Sequence, residues 1–214
     1  MSPDLARCRL FQARLYAILD SGYCPPAHWP HMAQELLSGG AQVVQVRAKF
    51  ASPLQVIEWS LPIFPICERF GMPLIINDHP RAVRIVGAAG CHVGQDDLSV
   101  AEARRLAGPD AIIGKSTHSP DQALSAVREG ADYIGVGPVF ATPTKPTYAP
   151  TGLELVRFAA SHITLPFFCI GGIKLENLDS VIQAGASRVV IVSGLLKSSF
   201  PRQDARLVRE KLAA

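Results

Sequence analysis

Short apolar runs alternate with longer amphipathic segments along most of the chain. The apolar runs read RLYAILD (14–20), VVQVR (43–47), PLIIND (73–78), GCHVG (90–94), AIIGKST (111–117), DYIGVGPV (132–139), PFFCIGG (166–172) and RVVIVSG (188–194). Near-continuous apolar runs without strict alternation are typical of strands that are buried on both faces of a parallel sheet. The pattern therefore predicts one buried parallel strand for each run.

The segments between these runs have the period of amphipathic helices, and most end in glycine, which leaves a helix through the left-handed conformation at low cost. They read HMAQELLSGG (31–40), VIEWSLPIFPICERFG (56–71), RAVRIVGAAG (81–90), AEARRLAG (101–108), DQALSAVREG (121–130) and LENLDSVIQAGA (175–186). The segment QDARLVREKL (203–212) is predicted to form the last helix. Pro62 and Pro65 are expected to kink or split the second helix.

Strict alternation of strands and helices over 214 residues predicts an α/β fold, a closed (β/α)8 TIM barrel. We expect a single domain over residues 1–214, with residues 1–13 as an N-terminal arm, because such barrels need about 200 residues and leave little room for a second domain. An open, flavodoxin-like sheet is the alternative. In a barrel the carboxyl ends of the strands surround one opening, and reactive groups are expected there.

The composition argues against several classes of protein. Only 18% of the residues are charged and the formal net charge is +3, so the basic surface of a nucleic-acid-binding protein is missing. No apolar run reaches the roughly 18 residues of a membrane span, and the first residues lack the apolar stretch of a secretory signal, so a cytoplasmic protein is expected. Widely spaced cysteines without a C-x-x-C pair argue against a disulfide framework and a structural zinc site. Cys91, His92 and Cys169 lie within apolar runs and are expected to serve the core.

Three polar side chains leave the second predicted strand on one face. Gln45, Arg47 and Lys49 are spaced two apart, and residues at that spacing on a strand point the same way. An amide, a guanidinium and an ammonium in one place are suited to a diphosphate, because arginine binds two oxygens in a fork and lysine adds a mobile charge. The alternative is an ion pair inside the barrel with Asp20 or Asp78.

Carboxylates follow the third and fourth predicted strands, at Asp78 and at the pair Asp96 and Asp97. Neighbouring strands lie about 4.8 Å apart, so two carboxylates at adjacent strand ends can share one cation. Oxygen ligands without paired histidine or cysteine favour Mg²⁺ held by one or two carboxylates and by substrate phosphate oxygens. The alternative is that Asp96 or Asp97 caps the helix that follows.

Further polar features lie at other predicted strand ends. Glycines occur in GG (171–172) and SG (193–194), and a phosphate monoester often binds between these two loops of a barrel; simple tight turns are the alternative. The loop FATPTKPTYAP (140–150), which precedes an amphipathic segment, is either a stiff surface connector or a clasp over an anionic ligand. Ser116 and His118 face the same opening, where His118 either transfers protons or caps a helix.

Seven short motifs, in order along the chain, resemble those of the thiamine-phosphate synthase (thiamine-phosphate pyrophosphorylase) family. They read QVRAK, IND, HVGQDDL, GKSTHS, GADYIGVGPVFATPTK, IGGI and VSG, and the similarity runs from about residue 15 to about residue 196. Each motif is short, but the ordered set is specific. Val46 departs from the commoner leucine in Q-L-R-x-K, and HPRAV after Asp78 departs from the usual arginine-rich start.

The resemblance implies a Mg²⁺-dependent transferase that couples 4-amino-2-methyl-5-(diphosphooxymethyl)pyrimidine with thiazole phosphate by dissociative substitution, giving thiamine phosphate and pyrophosphate. It implies a pyrimidine diphosphate site at Gln45, Arg47, Lys49 and Asn77, and a Mg²⁺ site at Asp78 and Asp97. Ser116 would contact the pyrimidine or its departing diphosphate. The thiazole phosphate would lie against Thr142, Pro143, Thr144, Gly172, Val192 and Ser193. Lys145 would face the diphosphate and act in catalysis with Ser116, Arg47 and Lys49.

Two other functions remain open at this point. A thiazole tautomerase is a related barrel that would depend on a histidine such as His118, but such proteins tend to lose the diphosphate and metal residues that this chain has. A non-catalytic sensor of phosphorylated thiazole or thiamine phosphate is the second. The sequence is compatible with a homodimer and with either form of the thiazole substrate, carboxylated or decarboxylated.

Overall fold

Within residues 1–142 and 149–213, which the computed structural model describes, eight parallel strands close into a barrel. Strands that follow one another in the chain are neighbours, and the first strand also pairs with the last, which closes the ring. The strands are β1 (Leu15–Asp20), β2 (Val43–Arg47), β3 (Leu74–Asn77), β4 (Gly90–Val93), β5 (Ile112–Thr117), β6 (Tyr133–Val136), β7 (Phe167–Cys169) and β8 (Val189–Ile191). The predicted closed barrel is confirmed, and the open sheet is wrong.

Helices connect the strands and lie around the barrel. They are α1 (Pro3–Gln12), α2 (Trp29–Ser38), α3 (Pro53–Ser60), α4 (Phe64–Phe70), α5 (Pro80–Val86), α6 (Val100–Ala107), α7 (Pro120–Arg128), α8 (Gly152–His162), α9 (Leu178–Gln183), α10 (Ser193–Leu196) and α11 (Pro201–Lys211), with a 3₁₀ turn at Pro26–His28. The second predicted helix is split as expected, because Pro62 lies between the end of α3 and the start of α4. None of the described helices has the length and hydropathy needed to cross a bilayer.

The seventh and eighth strands are shorter than the apolar runs predict. β8 ends at Ile191, because Val192 leaves the extended conformation at φ −105° and ψ −88° and Ser193 already begins α10. β7 ends at Cys169, and Gly171 and Gly172 then turn through positive φ values of 100° and 64°. The glycine-containing ends of these two runs therefore form loops at the mouth of the barrel.

The N-terminal arm, for which the sequence analysis predicts no structure, forms α1 across the amino ends of the strands. Ser2 caps the helix, and Ala6 and Leu10 are buried against the barrel. The Arg7 Nη1 donates to the carbonyl oxygen of Asp110, just before β5, at 3.0 Å. α1 therefore closes the end of the barrel opposite the mouth.

Two cysteines fill the barrel wall, as the sequence predicts. Cys91 and Cys169 have no exposed surface. Burial raises the pKa of Cys169 to about 12 and raises the pKa of Cys91 as well, so both thiols stay protonated at neutral pH. Neither behaves as a nucleophile in this environment.

Gly90→Ala is expected to lower the free energy of unfolding by about 2–4 kcal/mol. A Cβ at this position of β4 would lie 1.9 Å from the carbonyl oxygen of Ile112 on β5, and a strand backbone inside a closed barrel has little freedom to move. Gly71→Ala is the control, because its Cβ would meet no atom within 4 Å and only the positive φ of 65° would cost about 1 kcal/mol. Denaturant unfolding measures both, and equal losses would contradict the argument.

Candidate active site

The carboxyl ends of the strands open into a cavity with about 970 Å³ of empty space, counting the part open to solvent. Each of the described strands contributes at least one lining residue. Ile18, Phe168 and Val190 belong to its apolar wall. A few polar groups on a largely apolar wall are typical of a site for small molecules. The cavity lies at the end of the barrel where reactive groups are expected.

Arg47 lines this cavity and is held by a buried acid. Arg47 and Asp20 are register partners on β2 and β1, and the Arg47 Nη1 donates to Asp20, whose side chain is only 4% exposed. The other Asp20 oxygen accepts from the backbone N–H of Gly22 at 2.8 Å. The internal ion pair considered from the sequence is therefore present. A guanidinium has five N–H donors, so the pair orients Arg47 and leaves donors for a ligand.

Lys49 lies next to the first carboxylate of the site. Its Nζ donates to Asp78 Oδ2 at 3.2 Å, with the lysine side chain 49% exposed and the aspartate 18% exposed. Asp78 has a left-handed backbone at φ 62°, which is uncommon for a residue that carries a side chain. Its N–H still donates to the carbonyl oxygen of His92 at 2.9 Å, so pairing with β4 continues past the end of β3. Unfavourable backbone conformations of this kind concentrate at functional sites.

The structure brings the carboxyls of Asp78 and Asp97 into contact. Burial raises the pKa of Asp78, a hydrogen bond and repulsion from Asp97 raise it further, and Lys49 offsets part of the rise. Asp97 Oδ2 also accepts from the backbone N–H of Gly94 at 2.7 Å. Two adjacent carboxylates repel each other unless a proton or a cation lies between them. The pair therefore fits a hard divalent cation such as Mg²⁺.

The helix after these acids is capped by a serine. Ser99 Oγ accepts from the backbone N–H of Glu102 at 3.2 Å, and the Glu102 carboxylate accepts from the backbone N–H of Ser99 at 3.1 Å. This reciprocal pair is a capping box at the start of α6. The alternative that Asp96 or Asp97 caps this helix is wrong.

The opposite side of the cavity is built from the loops after β6, β7 and β8. Gly171 and Gly172 let the first two loops lie directly against each other, because a Cβ at Gly172 would lie 2.7 Å from the Phe140 Cβ. The Phe140 N–H donates to the carbonyl oxygen of Gly171 at 2.9 Å, which ties the loops together. The residues of these loops that line the cavity include Thr142, Gly172, Val192 and Ser193. The predicted site residues Pro143, Thr144 and Lys145 lie outside the described residues.

A chain of hydrogen bonds runs along the cavity wall. Gln45 Nε2 donates to the Tyr16 hydroxyl at 2.7 Å, and the Tyr16 and Tyr133 hydroxyls lie 2.9 Å apart. The Tyr133 hydroxyl lies 3.1 Å from His92 Nδ1, and His92 Nε2 lies 2.9 Å from Ser116 Oγ. The structure thus connects Gln45 and Ser116, two site residues predicted separately from the sequence.

Three residues of this hydrogen-bond chain were not predicted as part of the site. The sequence analysis names neither Tyr16 nor Tyr133, and it assigns His92 to the core, yet all three line the cavity. A signal was available in the strand period, because Tyr16 lies two and four residues before Ile18 and Asp20 and so shares their face of β1. A tyrosine within a buried strand also needs a partner for its hydroxyl, which points to a polar neighbour across the barrel.

His118 lines the cavity, and its ring bonds to the backbone. His118 Nδ1 donates to the carbonyl oxygen of Gly137. Ser119, not His118, caps α7, because its Oγ accepts from the backbone N–H of Gln122 at 3.2 Å. The capping alternative for His118 is therefore wrong.

The chain is similar to proteins of one family in sequence and in structure. A profile described as thiamine monophosphate synthase matches residues 15–195. The chain is 44% identical over 181 residues to a thiamine-phosphate synthase of Thermus thermophilus, covering 84% of this chain and 86% of the relative. It is 43% identical over 197 residues to a thiamine-phosphate synthase of Chloroflexus aurantiacus, covering 92% and 91%.

A solved structure of thiamine phosphate pyrophosphorylase from Pyrococcus furiosus superposes on the barrel with a TM-score of 0.86. The two chains are 28% identical, and the match covers 97% of each. Sequence and structure agree, because the matched region spans all eight barrel strands. The chain therefore belongs to the thiamine monophosphate synthase family and is a transferase of thiamine biosynthesis.

Proposed function

We propose that the chain couples 4-amino-2-methyl-5-(diphosphooxymethyl)pyrimidine with thiazole phosphate in a Mg²⁺-dependent reaction that yields thiamine phosphate and pyrophosphate. The observation that carries the proposal is that acids and cations from neighbouring strands lie at the carboxyl ends of β2, β3 and β4. Arg47 and Asn77 line the cavity, and Asp78, the residue after Asn77, contacts both Asp97 and Lys49. Family membership supports the reaction class.

Asp78 and Asp97 are proposed to hold Mg²⁺ together with diphosphate oxygens of the first substrate. Across residues 1–142 and 149–213, no three His, Cys, Asp or Glu side chains are grouped as a metal site. A site of two carboxylates completed by substrate oxygens is the usual arrangement for Mg²⁺. When bound, the ion supplies positive charge to the leaving pyrophosphate.

Gln45, Arg47, Lys49 and Asn77 are proposed to bind the first substrate at its diphosphate end. Asp20 orients Arg47 before the substrate arrives, so little freedom is lost when the guanidinium binds two oxygens. The Lys49–Asp78 pair is partly exposed and worth at most about 1 kcal/mol, so the ammonium can turn to phosphate at low cost. Both cations stabilise the electron pair that passes to the departing oxygen as the C–O bond breaks.

The bond-forming step needs positioning more than proton transfer. Once the C–O bond is broken, the aminopyrimidine ring delocalises the positive charge of the methylene carbon, and the thiazole nitrogen attacks that carbon. Pyrophosphate keeps the electron pair of the broken bond, so no general base is required. The apolar wall around Ile18, Phe168 and Val190 keeps out water, the competing nucleophile. Ser116 is proposed to contact the pyrimidine.

The thiazole phosphate is proposed to lie on the opposite side of the cavity. There the Gly172 backbone, at φ 64°, has no side chain that would keep a phosphate away. Asn177 Nδ2 donates to the carbonyl oxygen of Gly172 at 2.9 Å, which holds this turn in place. The residues proposed for this site are Thr142, Pro143, Thr144, Gly172, Val192 and Ser193.

The proposal is tested by incubating the purified chain with both substrates and Mg²⁺. Thiamine phosphate and pyrophosphate are expected in equal amounts, and neither is expected when one substrate is left out. Isomerised thiazole without pyrophosphate would instead indicate a tautomerase, and binding without product would indicate a sensor. Either result would contradict the proposed reaction.

Lys145→Ala is expected to lower kcat by about tenfold or more, because the ammonium is proposed to stabilise charge on the leaving diphosphate. Turnover at saturating concentrations of both substrates measures the effect. Lys211→Ala is the control, since Lys211 Nζ pairs with Asp179 at 2.7 Å on the outside of the barrel. A Lys145→Ala rate within about threefold of the parent, less than about 0.7 kcal/mol of barrier, would reject the role.

A further inference from the structure

With Gln45 Nε2 as the donor to Tyr16, one direction of the hydrogen-bond chain from Gln45 to Ser116 pairs every hydroxyl proton with an acceptor. In that direction the Tyr16 oxygen accepts at 2.7 Å, and the Tyr16 proton goes to the Tyr133 oxygen at 2.9 Å. Tyr133 then donates its own proton to His92 Nδ1 at 3.1 Å, which leaves Nε2 as the protonated ring nitrogen. That Nε2–H donates to Ser116 Oγ at 2.9 Å.

Gln45 and Ser116, at the two ends of the hydrogen-bond chain, both line the cavity. One of them presents an acceptor to it, and the other presents a donor. Because the Gln45 nitrogen is turned to Tyr16, the amide has its carbonyl oxygen, an acceptor, for a ligand. Because the Ser116 oxygen accepts from His92, the hydroxyl has its proton to donate. A ligand between them would form hydrogen bonds with one acceptor on β2 and one donor on β5.

The barrel interior is shaped to hold this chain. Gly114 is the register partner of Tyr133, and a Cβ at Gly114 would lie 2.2 Å from Tyr133 Cζ. A Cβ at Gly135 would lie 3.6 Å from His92 Cε1, so that ring also lies against a glycine. Phe168 packs edge-on against both tyrosine rings, with centroids 5.2 and 5.7 Å away. Packing therefore fixes the rings that carry the hydroxyls.

Both tyrosine hydroxyls of the hydrogen-bond chain stay protonated. Tyr16 and Tyr133 are each 1% exposed. Burial raises the pKa of both hydroxyls well above the usual range for tyrosine. Each hydroxyl is therefore a donor and an acceptor at any pH at which the protein is studied.

We propose that Tyr16 and Tyr133 are positioning residues that set the specificity for the ring of the first substrate. Their hydroxyls hold the Gln45 carbonyl oxygen and the Ser116 hydroxyl proton toward the ligand. The cavity then accepts a ring with an amino donor on one side and a ring-nitrogen acceptor on the other, as in a 4-aminopyrimidine. A 4-oxopyrimidine would place an oxygen against the Gln45 oxygen. The inference rests on the proposed function, which supplies the aminopyrimidine.

The direction of the hydrogen-bond chain is tested on the parent protein by ¹⁵N NMR of its histidines. His92 is expected to be the Nε2–H tautomer, and Tyr133→Phe is expected to lose this preference because Nδ1 loses its donor. His162 is an internal reference, since its Nδ1 lies 3.0 Å from the carbonyl oxygen of Phe158 and has to carry a proton. A parent His92 protonated at Nδ1 alone would overturn the proposal, whatever the activity.

The specificity is tested by comparing kcat/KM for the 4-aminopyrimidine diphosphate and its 4-oxo analogue. Tyr133→Phe is expected to lower the preference for the amino form by about tenfold or more, because Gln45 and Ser116 can then turn. Tyr16→Phe breaks the neighbouring link and is expected to act in the same way. A merely structural loss would lower both values together and leave their ratio unchanged.

Tyr23→Phe is the matched control, because this ring lies under Lys197 Nζ at 5.0 Å and outside the hydrogen-bond chain described above. It is expected to keep both the parental ratio and the His92 tautomer. A ratio within about twofold of the parent in Tyr133→Phe would overturn the positioning role. A parent that forms no thiamine phosphate would contradict the proposed function instead, and the tautomer measurement would then decide the direction of the chain.

Discussion

Replacing Arg47 by alanine is expected to lower kcat/KM for the pyrimidine diphosphate by about 10²- to 10³-fold in a steady-state coupling assay. The guanidinium is proposed to bind two oxygens of the leaving group, and this interaction strengthens as charge builds on the departing oxygen. The loss is therefore expected mainly in kcat. Arg47→Lys restores the charge without the planar fork, so it is expected to recover only part of the activity.

Arg47→Ala also removes the cation that faces Asp20, which is 3% exposed. A buried carboxylate left without its partner costs about 3–5 kcal/mol of unfolding free energy. The double variant Asp20→Asn/Arg47→Ala removes the buried charge, so it is expected to regain most of the stability but none of the activity. Unfolding and turnover measured on both variants separate the two effects. Parental turnover in the double variant would contradict a role for Arg47 in binding substrate.

Replacing Asp97 by asparagine is expected to lower kcat by about 100-fold or more and to raise the Mg²⁺ concentration for half-maximal rate by about tenfold or more. Asparagine keeps an acceptor for the Gly94 N–H, 2.7 Å away in the parent, so the loop should keep its shape. Asp78→Asn is expected to behave similarly, because asparagine tolerates the left-handed backbone at φ 62°. Titration of the coupling rate with Mg²⁺ measures both variants.

Without metal, Asp97→Asn is expected to keep or raise the stability of the fold, although it lowers the rate. Burial and Asp97 raise the pKa of Asp78 in the folded state, so the loss of stability is complete above that raised pKa. The loss shrinks as the pH falls below it and is gone below the ordinary pKa that the aspartate has in the unfolded chain. Asp97→Asn removes one charge of the pair and should melt at or above the parental temperature at neutral pH. Asp96→Asn is the control and should keep the parental Mg²⁺ dependence. An Asp97→Asn variant with parental rate and Mg²⁺ dependence would contradict the proposed site.

The closed barrel and the location of the candidate site could both be predicted from local patterns. Strands buried on both faces produce near-continuous apolar runs, and the helices between them have a different period, so the alternation of the two is visible without any tertiary contact. The split of the second helix at Pro62 is equally local, since proline removes a backbone donor wherever it occurs. The strand period also places Gln45 and Arg47 on one face, and both line the cavity.

Some predicted boundaries were wrong because they depend on contacts made at the mouth and at the base of the barrel. The run 188–194 is apolar to its end, yet its strand stops at Ile191, where the backbone turns into α10. α1 has a polar sequence, and it is stable as a helix because Ala6 and Leu10 are buried against the strand ends. Neither the early end of β8 nor the burial of α1 can be inferred from the composition of the segment concerned.

The amino-acid sequence by itself determined the alternation of strands and helices, the shared face of Gln45 and Arg47, and hence the end of the barrel at which the proposed site lies. Only the tertiary structure decided which side chains are partners: Arg47 with Asp20, and Tyr16 with Tyr133, 117 residues apart, in a chain that connects Gln45 to Ser116. The spacing of apolar residues is a property of short segments, and the order of those segments follows from the sequence. Contacts across the interior depend on closure of the ring and on the register of strands distant in sequence, and no local pattern is sensitive to either.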